Sequence, residues 1–253
     1  MQMDGAVAVL TLNAPARMNA LSHEMLVALA EALDDMVLSD ARSVVITGAG
    51  NAFCAGADLQ SVDPNTDSLA DLGATFDLYY RPLVDRLRDY PLPTVAAVNG
   101  VAAGFGMSLV MMCDLTVMAD DSYMAAAFAR IGLVPDGGWS YLVPRLIGKS
   151  RALEMALLAE GLPAKTAQDW GLVNRLVPAN QALAEGMALA ERLAEGPASL
   201  TGIRRLVWHG LDSTWDEQLD AEAEAQAEAG HTVDFGEGVT AFQAKRPPKF
   251  LGY

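Results

Sequence analysis

The chain opens with an apolar, β-branched run, Ala6 to Leu12, that fits a short strand. Ser22 then reads as a helix N-cap. Leu26, Leu29, Leu33 and Met36 recur at helical spacing with polar residues between them, predicting a helix over 22–37 with one apolar face. Ser43 to Thr47 reads as a buried strand ending at Gly48. A loop follows, then a helix between Ser68 and Asp89, a strand over Thr94 to Val98, a short helix opening around Gly104, and a strand at Leu115 to Met118. This alternation predicts an α/β core with crossover helices, in which ligands gather at the carboxyl ends of the strands. The candidate loops are those after Thr47 and Val98. From about Lys149 the pattern is mostly helical, with segments over 150–160 and 180–195 and more from Pro197 to the end.

Composition narrows the classes. At 253 residues, 52% apolar and 19% charged, the chain is a folded globular protein of one to two domains. Its net charge of −15 repels polyanions, so nucleic acid is not an expected partner. The uncharged run between Asp89 and Asp114 is long enough to span a bilayer, but Pro91, Pro93 and Asn99-Gly100 interrupt it, and no membrane segment is expected. The N-terminus has no basic, apolar export pattern, which predicts a cytoplasmic protein. Cys54 and Cys113 lie in apolar runs with no metal-ligand or disulfide spacing, and read as small buried hydrophobes. Residues 212–230 hold seven acids and no Lys or Arg, as expected of a solvated helix face. The tail reverses this charge, with Lys245, Arg246 and Lys249 beside Phe242 and Phe250, a plausible place for an anionic ligand.

Hydrolytic chemistry is disfavoured, because His23, His209 and His231 all fall on predicted helices away from any G-x-S-x-G turn. Gly104-Phe105-Gly106 lacks the third glycine of a dinucleotide fingerprint. What remains are two glycine-containing loops, 51–59 and 99–109. Each could present free backbone N–H groups, and two such donors converging on one oxygen would stabilise an oxyanion, helped by a helix starting near Gly104.

These loops carry a resemblance to the crotonase, or enoyl-CoA hydratase/isomerase, superfamily that covers nearly the whole chain. The matching pieces are Ala16-Arg17-Met18-Asn19-Ala20-Leu21, Phe53-Cys54-Ala55-Gly56-Ala57-Asp58-Leu59, Asn99 to Asp114, Ile131 to Gly138, Ala167 to Val173, and the Phe242-to-Phe250 tail. The chain begins close to its first strand, so a preceding edge strand is expected to be shortened or lost. The resemblance implies a spiral of ββα units over 1–195 that binds acyl-CoA, then a C-terminal helical oligomerisation region over 196–253. It also implies a homotrimer or dimer of trimers, an acyl-CoA thioester substrate, and no metal or redox cofactor. By motif position, the oxyanion-hole amides belong to Ala57 and Phe105. Ala55, Gly56, Asp58, Leu59 and Gly104 belong to the two binding loops. Arg17 is placed to meet the CoA phosphates, and Phe242 and Lys245 complete the CoA site across a subunit boundary.

The departures from the family pattern decide the expected chemistry. Family hydratases use two glutamates that flank a water, and those positions here are Ser108 and Phe128. Without either carboxylate, hydration lacks a titrating group. Asp136, between Pro135 and Gly137-Gly138, matches an acidic position of double-bond isomerases, although Pro-Asp-Gly is also a common turn. An apolar lining of Phe128, Leu133 and Trp139 would raise its basicity. The leading expectation is an enoyl-CoA isomerase with Asp136 as single acid/base. The alternatives are a hydratase with an unusual site, an aryl-CoA dehalogenase or hydrolase with Asp136 as nucleophile, and a non-catalytic acyl-CoA-binding member.

Overall fold

The computed structural model describes residues 1–59 and 71–253. Among them, ten strands form two sheets. They are β1 (Gln2–Asp4), β2 (Val7–Leu12), β3 (Ser43–Gly48), β4 (Ala52–Cys54), β5 (Thr94–Val98), β6 (Val101–Ala103), β7 (Leu115–Ala119), β8 (Tyr123–Ala125), β9 (Gly161–Pro163) and β10 (Arg175–Val177). The larger sheet has the order β1-β2-β3-β5-β7-β10 and the smaller β4-β6-β8-β9. All pairings are parallel except β1 with β2 and β8 with β9. The edge strand β1 is therefore present, though only three residues long.

Three successive turns, β3-β4, β5-β6 and β7-β8, each add one strand to the large sheet, one to the small sheet, and then helix. The chain is thus a spiral of ββα units, the α/β class expected. The segments after Thr47 and Val98 read from the sequence as loops that could gather a ligand. They instead contain β4 and β6, whose three residues are too few to show an alternating pattern in the sequence.

The helices are α1 (His23–Val37), α2 (Leu72–Thr75), α3 (Arg81–Arg88), α4 (Phe105–Met112), α5 (Trp139–Ile147), α6 (Lys149–Leu158), α7 (Ala164–Asp169), α8 (Ala182–Ala194), α9 (Ser199–His209), α10 (Trp215–Gly230) and α11 (Val233–Gln243). Ser22 caps α1 by accepting from the Met25 N–H at 3.3 Å. The helix expected over 68–89 is broken by a π-turn, Phe76–Tyr80, between α2 and α3, and its residues before 71 lie outside the described residues. Pro82 accounts for the break. It lacks an N–H and its ring would crowd the carbonyl four residues back, so the helix widens there, with the Arg81 N–H bonding to Phe76 O.

Both faces of the large sheet are covered. Val7, Val45, Val95, Ala97 and Val117 meet Leu189, Ala190 and Ala194 of α8, while Val44, Ile46, Ala96, Val98 and Met118 face the main core. Two-sided burial explains why Val44 to Ile46 of β3 and Val95 to Val98 of β5 are unbroken apolar runs. Cys54 and Cys113 are free and buried, and burial pushes each thiol up to about 12. They are the inert packing residues expected. All seven acids over 212–230 are exposed. No helix among the described residues is long and apolar enough to cross a membrane.

Candidate active site

The two loops are tied together by asparagines. Asn99 Oδ1 accepts from the Gly48 N–H at 3.1 Å, and its Nδ2 donates to Gly50 O at 2.9 Å. Asn19, fully buried, donates to Ala49 O at 2.9 Å and Ala52 O at 2.8 Å. Beyond β4 the chain passes Leu21, whose N–H donates to Gly56 O at 2.7 Å and whose carbonyl accepts from Asp58 N–H at 2.9 Å. In this parallel bridge the intervening residue turns its own amide to the opposite side. The Ala57 N–H therefore faces away from Leu21 and has no acceptor among the described residues.

Phe105 is the first residue of α4, so its N–H is an orphan donor at the positive end of the helix. The Gly56 backbone lies so close to this turn that a Cβ there would stand 2.9 Å from Ala103 O and 3.5 Å from Phe105 N. Gly56 also holds φ at +100°, which a side chain would resist. The Ala57 and Phe105 amides thus lie on adjoining backbones, as an oxyanion hole requires.

Asp136 stands over the same turn of α4. Its carbonyl accepts from the Ser108 hydroxyl at 2.9 Å and the Trp139 N–H at 3.0 Å. Gly137, at φ +59°, lets the loop press down on α4, for a Cβ there would fall 2.8 Å from both the Phe105 ring and Ser108 Cβ. The carboxyl Oδ1 is sealed from solvent and has no hydrogen-bond partner, the single such side-chain atom among the described residues. Burial raises the carboxyl from the usual 3.8 to about 6, against a small opposing effect from its own backbone N–H. A carboxyl at that value is ionised at neutral pH yet basic enough to take a proton.

The apolar lining is only partly as expected. Phe128 is buried, with a ring carbon 4.0 Å from where a Gly104 Cβ would be. Leu133 donates its N–H to Phe128 O at 3.0 Å but leaves its side chain largely exposed. Trp139 is buried in the core with its Nε1 on Met107 Sδ at 3.3 Å, so it anchors α5 to α4. Ser108 was expected among the substrate-contacting residues. It is wholly buried with its hydroxyl bound to the Asp136 carbonyl, so it holds the Asp136 loop against α4. Tyr80, which the sequence reading did not single out, sets its ring edge-on to Phe105 at 4.8 Å and feels the Asp136 charge. Its only signal was the aromatic run Phe76, Tyr79 and Tyr80 inside a predicted helix.

Arg17 pairs with the buried Asp58, which follows Ala57, and keeps half its side chain in solvent. Ala55 is half-buried, its N–H donating to Met18 O at 3.0 Å, and Leu59 is exposed. The tail residues stand apart. No hydrogen bond or ion pair among the described residues joins Phe242 or Lys245 to the loops, and Phe242 lines a groove between α9, α10 and α11. The basic cluster read in the tail is also partly neutralised. Arg246 grips both oxygens of Glu237, at 2.6 and 2.8 Å, and these bonds with that of the Lys249 N–H hold the Glu237 carboxyl down to about 2.

The sequence profile of the enoyl-CoA hydratase/isomerase family matches residues 2–252. The chain is 41% identical to the 1,2-epoxyphenylacetyl-CoA isomerase of Escherichia coli K12, over 99% of this chain and 97% of that one. It is 40% identical to a protein of Rhodobacter capsulatus named probable enoyl-CoA hydratase, over 99% and 96% of the two chains. An enoyl-CoA hydratase structure from Polaromonas sp. JS666 superposes with a TM-score of 0.90 at 33% identity, over 99% of this chain and 98% of that one. Fold, loop geometry and these likenesses agree, and the chain belongs to the enoyl-CoA hydratase/isomerase family of the crotonase superfamily.

Proposed function

We propose that the protein is an enoyl-CoA isomerase that moves a carbon–carbon double bond between the β,γ and α,β positions, with Asp136 as the single acid/base. The observation that carries this reading is the Asp136 Oδ1, sealed from solvent and unpartnered beside the oxyanion-hole turn. The ionised carboxyl removes a proton from the α-carbon of a β,γ-enoyl thioester. The electron pair moves into the thioester carbonyl, and the dienolate oxygen is held by the Ala57 and Phe105 amides. Asp136, now protonated, returns the proton at the γ-carbon, the dienolate collapses, and the α,β isomer leaves with the carboxylate restored. Both transfers use groups of this chain, so the reading needs no metal or redox cofactor.

Hydration would need a second group to position and activate water. The two positions where family hydratases carry glutamate are the buried Ser108, already bonded to Asp136, and Phe128. The isomerase name of the Escherichia coli relative favours the same class of reaction, while the hydratase names of other relatives keep the competing product to be tested. The reading also places Arg17, Phe242 and Lys245 at the CoA moiety, the last two across a boundary between subunits of a cytoplasmic homotrimer or dimer of trimers. Exposed Ile203, Val207, Leu219, Phe235 and Val239 on α9, α10 and α11 support such packing. The test follows a β,γ-enoyl-CoA by absorbance of the conjugated thioester. Wild type is expected to form the α,β isomer, and Asp136→Asn to lose at least about a thousandfold in rate. Equal rates for the two proteins would refute the assignment.

A further inference from the structure

Tyr80 ends the π-turn ahead of α3, and irregular turns of this kind recur at functional sites. Its side chain is buried, its ring stands edge-on to Phe105, and Asp136 is the charge it feels most. Buried tyrosines normally find a partner for the hydroxyl. Tyr90 donates to Leu33 O at 2.8 Å and Tyr141 to Leu211 O at 2.7 Å, but the Tyr80 hydroxyl has no hydrogen-bond partner among the described residues. Nor is that hydroxyl sealed, because Asp136 Oδ1 is the one side-chain atom there that is both sealed and unpartnered. The hydroxyl is therefore open to an acceptor from outside the described residues, on a ring that packs directly against Phe105.

We infer that the Tyr80 hydroxyl is a specificity-determining donor of the acyl pocket, selecting acyl groups that carry an oxygen within its reach. The inference rests on the proposed placing of the acyl group between the two loops and Asp136. A pure hydrocarbon chain would cover the hydroxyl and leave it without a partner, at the cost of its hydration. An oxygen on the acyl chain accepts the bond and removes that cost, and sites built around such a donor discriminate strongly. Burial, with the neighbouring Asp136 charge, pushes the phenol up to about 12, so it remains a donor at working pH.

The test is calorimetric titration of the full chain, wild type and Tyr80→Phe, with butyryl-CoA and with 2-, 3- and 4-hydroxybutyryl-CoA. At least one hydroxylated thioester should bind wild type about fivefold or more tighter than butyryl-CoA. In Tyr80→Phe that advantage should vanish, while butyryl-CoA binds as well or better. A wild type with no hydroxyl preference, or a preference that survives in Tyr80→Phe, would overturn the inference. Butyryl-CoA binding without preference removes only the role of Tyr80. Failure of all four thioesters to bind removes the acyl-CoA placing as well.

Discussion

A carboxyl held near pH 6 by burial leaves two signatures at residue scale. As the base, Asp136 must be ionised, so kcat/KM for a β,γ-enoyl-CoA should climb with pH through about 6 and level off above it. Stability should run the other way. The folded value lies above the unfolded 3.8, so the protein is unburdened below about pH 4 and loses stability as pH rises through 6. Asp136→Asn should therefore be more stable than wild type at pH 8, by up to about 3 kcal/mol, and equal to it at pH 3.5, measured by urea unfolding. Ser108→Ala should lower kcat/KM about fivefold, because a bond worth about 1 kcal/mol no longer holds the Asp136 carbonyl. Asp136 stood out in the sequence through its motif position, and the structure adds its burial and unpartnered Oδ1. The role of Ser108 did not stand out, since a serine on an apolar helix does not announce which carbonyl it will meet.

At the scale of elements, the turn that brings the Ala57 and Phe105 amides onto adjoining backbones depends on how closely those backbones approach. Gly56→Ala places a Cβ 2.9 Å from Ala103 O at φ +100°, so it should destabilise the protein by about 1–3 kcal/mol and reduce activity beyond that loss. Thermal unfolding and kcat measured on the same sample separate the two effects. The long elements α1, β3, β5 and α8 could be read from periodicity and from two-sided apolar runs. The small sheet could not, because Ala52–Cys54 and Val101–Ala103 owe their strand conformation to neighbours from other turns of the spiral. Tyr80 was hidden for a related reason. A π-turn displaces the residues after it around the helix, so a pattern read at 3.6 residues per turn assigns them the wrong face.

Across the whole molecule, the C-terminal helices are clamped to the spiral by one buried cation. Arg204 donates to Asp114 Oδ2 at 2.9 Å and to the carbonyls of Leu87, Arg88 and Tyr90, while Trp208 donates to Asp114 Oδ1 at 3.1 Å. Arg204→Ala would leave Asp114 and these carbonyls without their partner, and chemical unfolding should show a loss of about 3–5 kcal/mol. The same clamp holds Tyr90 and the end of α3, the helix that follows Tyr80, so it braces the candidate site from behind. The proposed chemistry reduces to one carboxylate moving one proton between two carbons under an oxyanion hole. Proton NMR of wild type and Asp136→Asn in heavy water, each with a β,γ-enoyl-CoA and an α,β-enoyl-CoA, tests this directly. The account predicts interconversion of the two isomers with deuterium entering the α- or γ-carbon, no β-hydroxyacyl-CoA, and loss of all exchange in the variant. A β-hydroxyacyl-CoA product that persists in Asp136→Asn would contradict it.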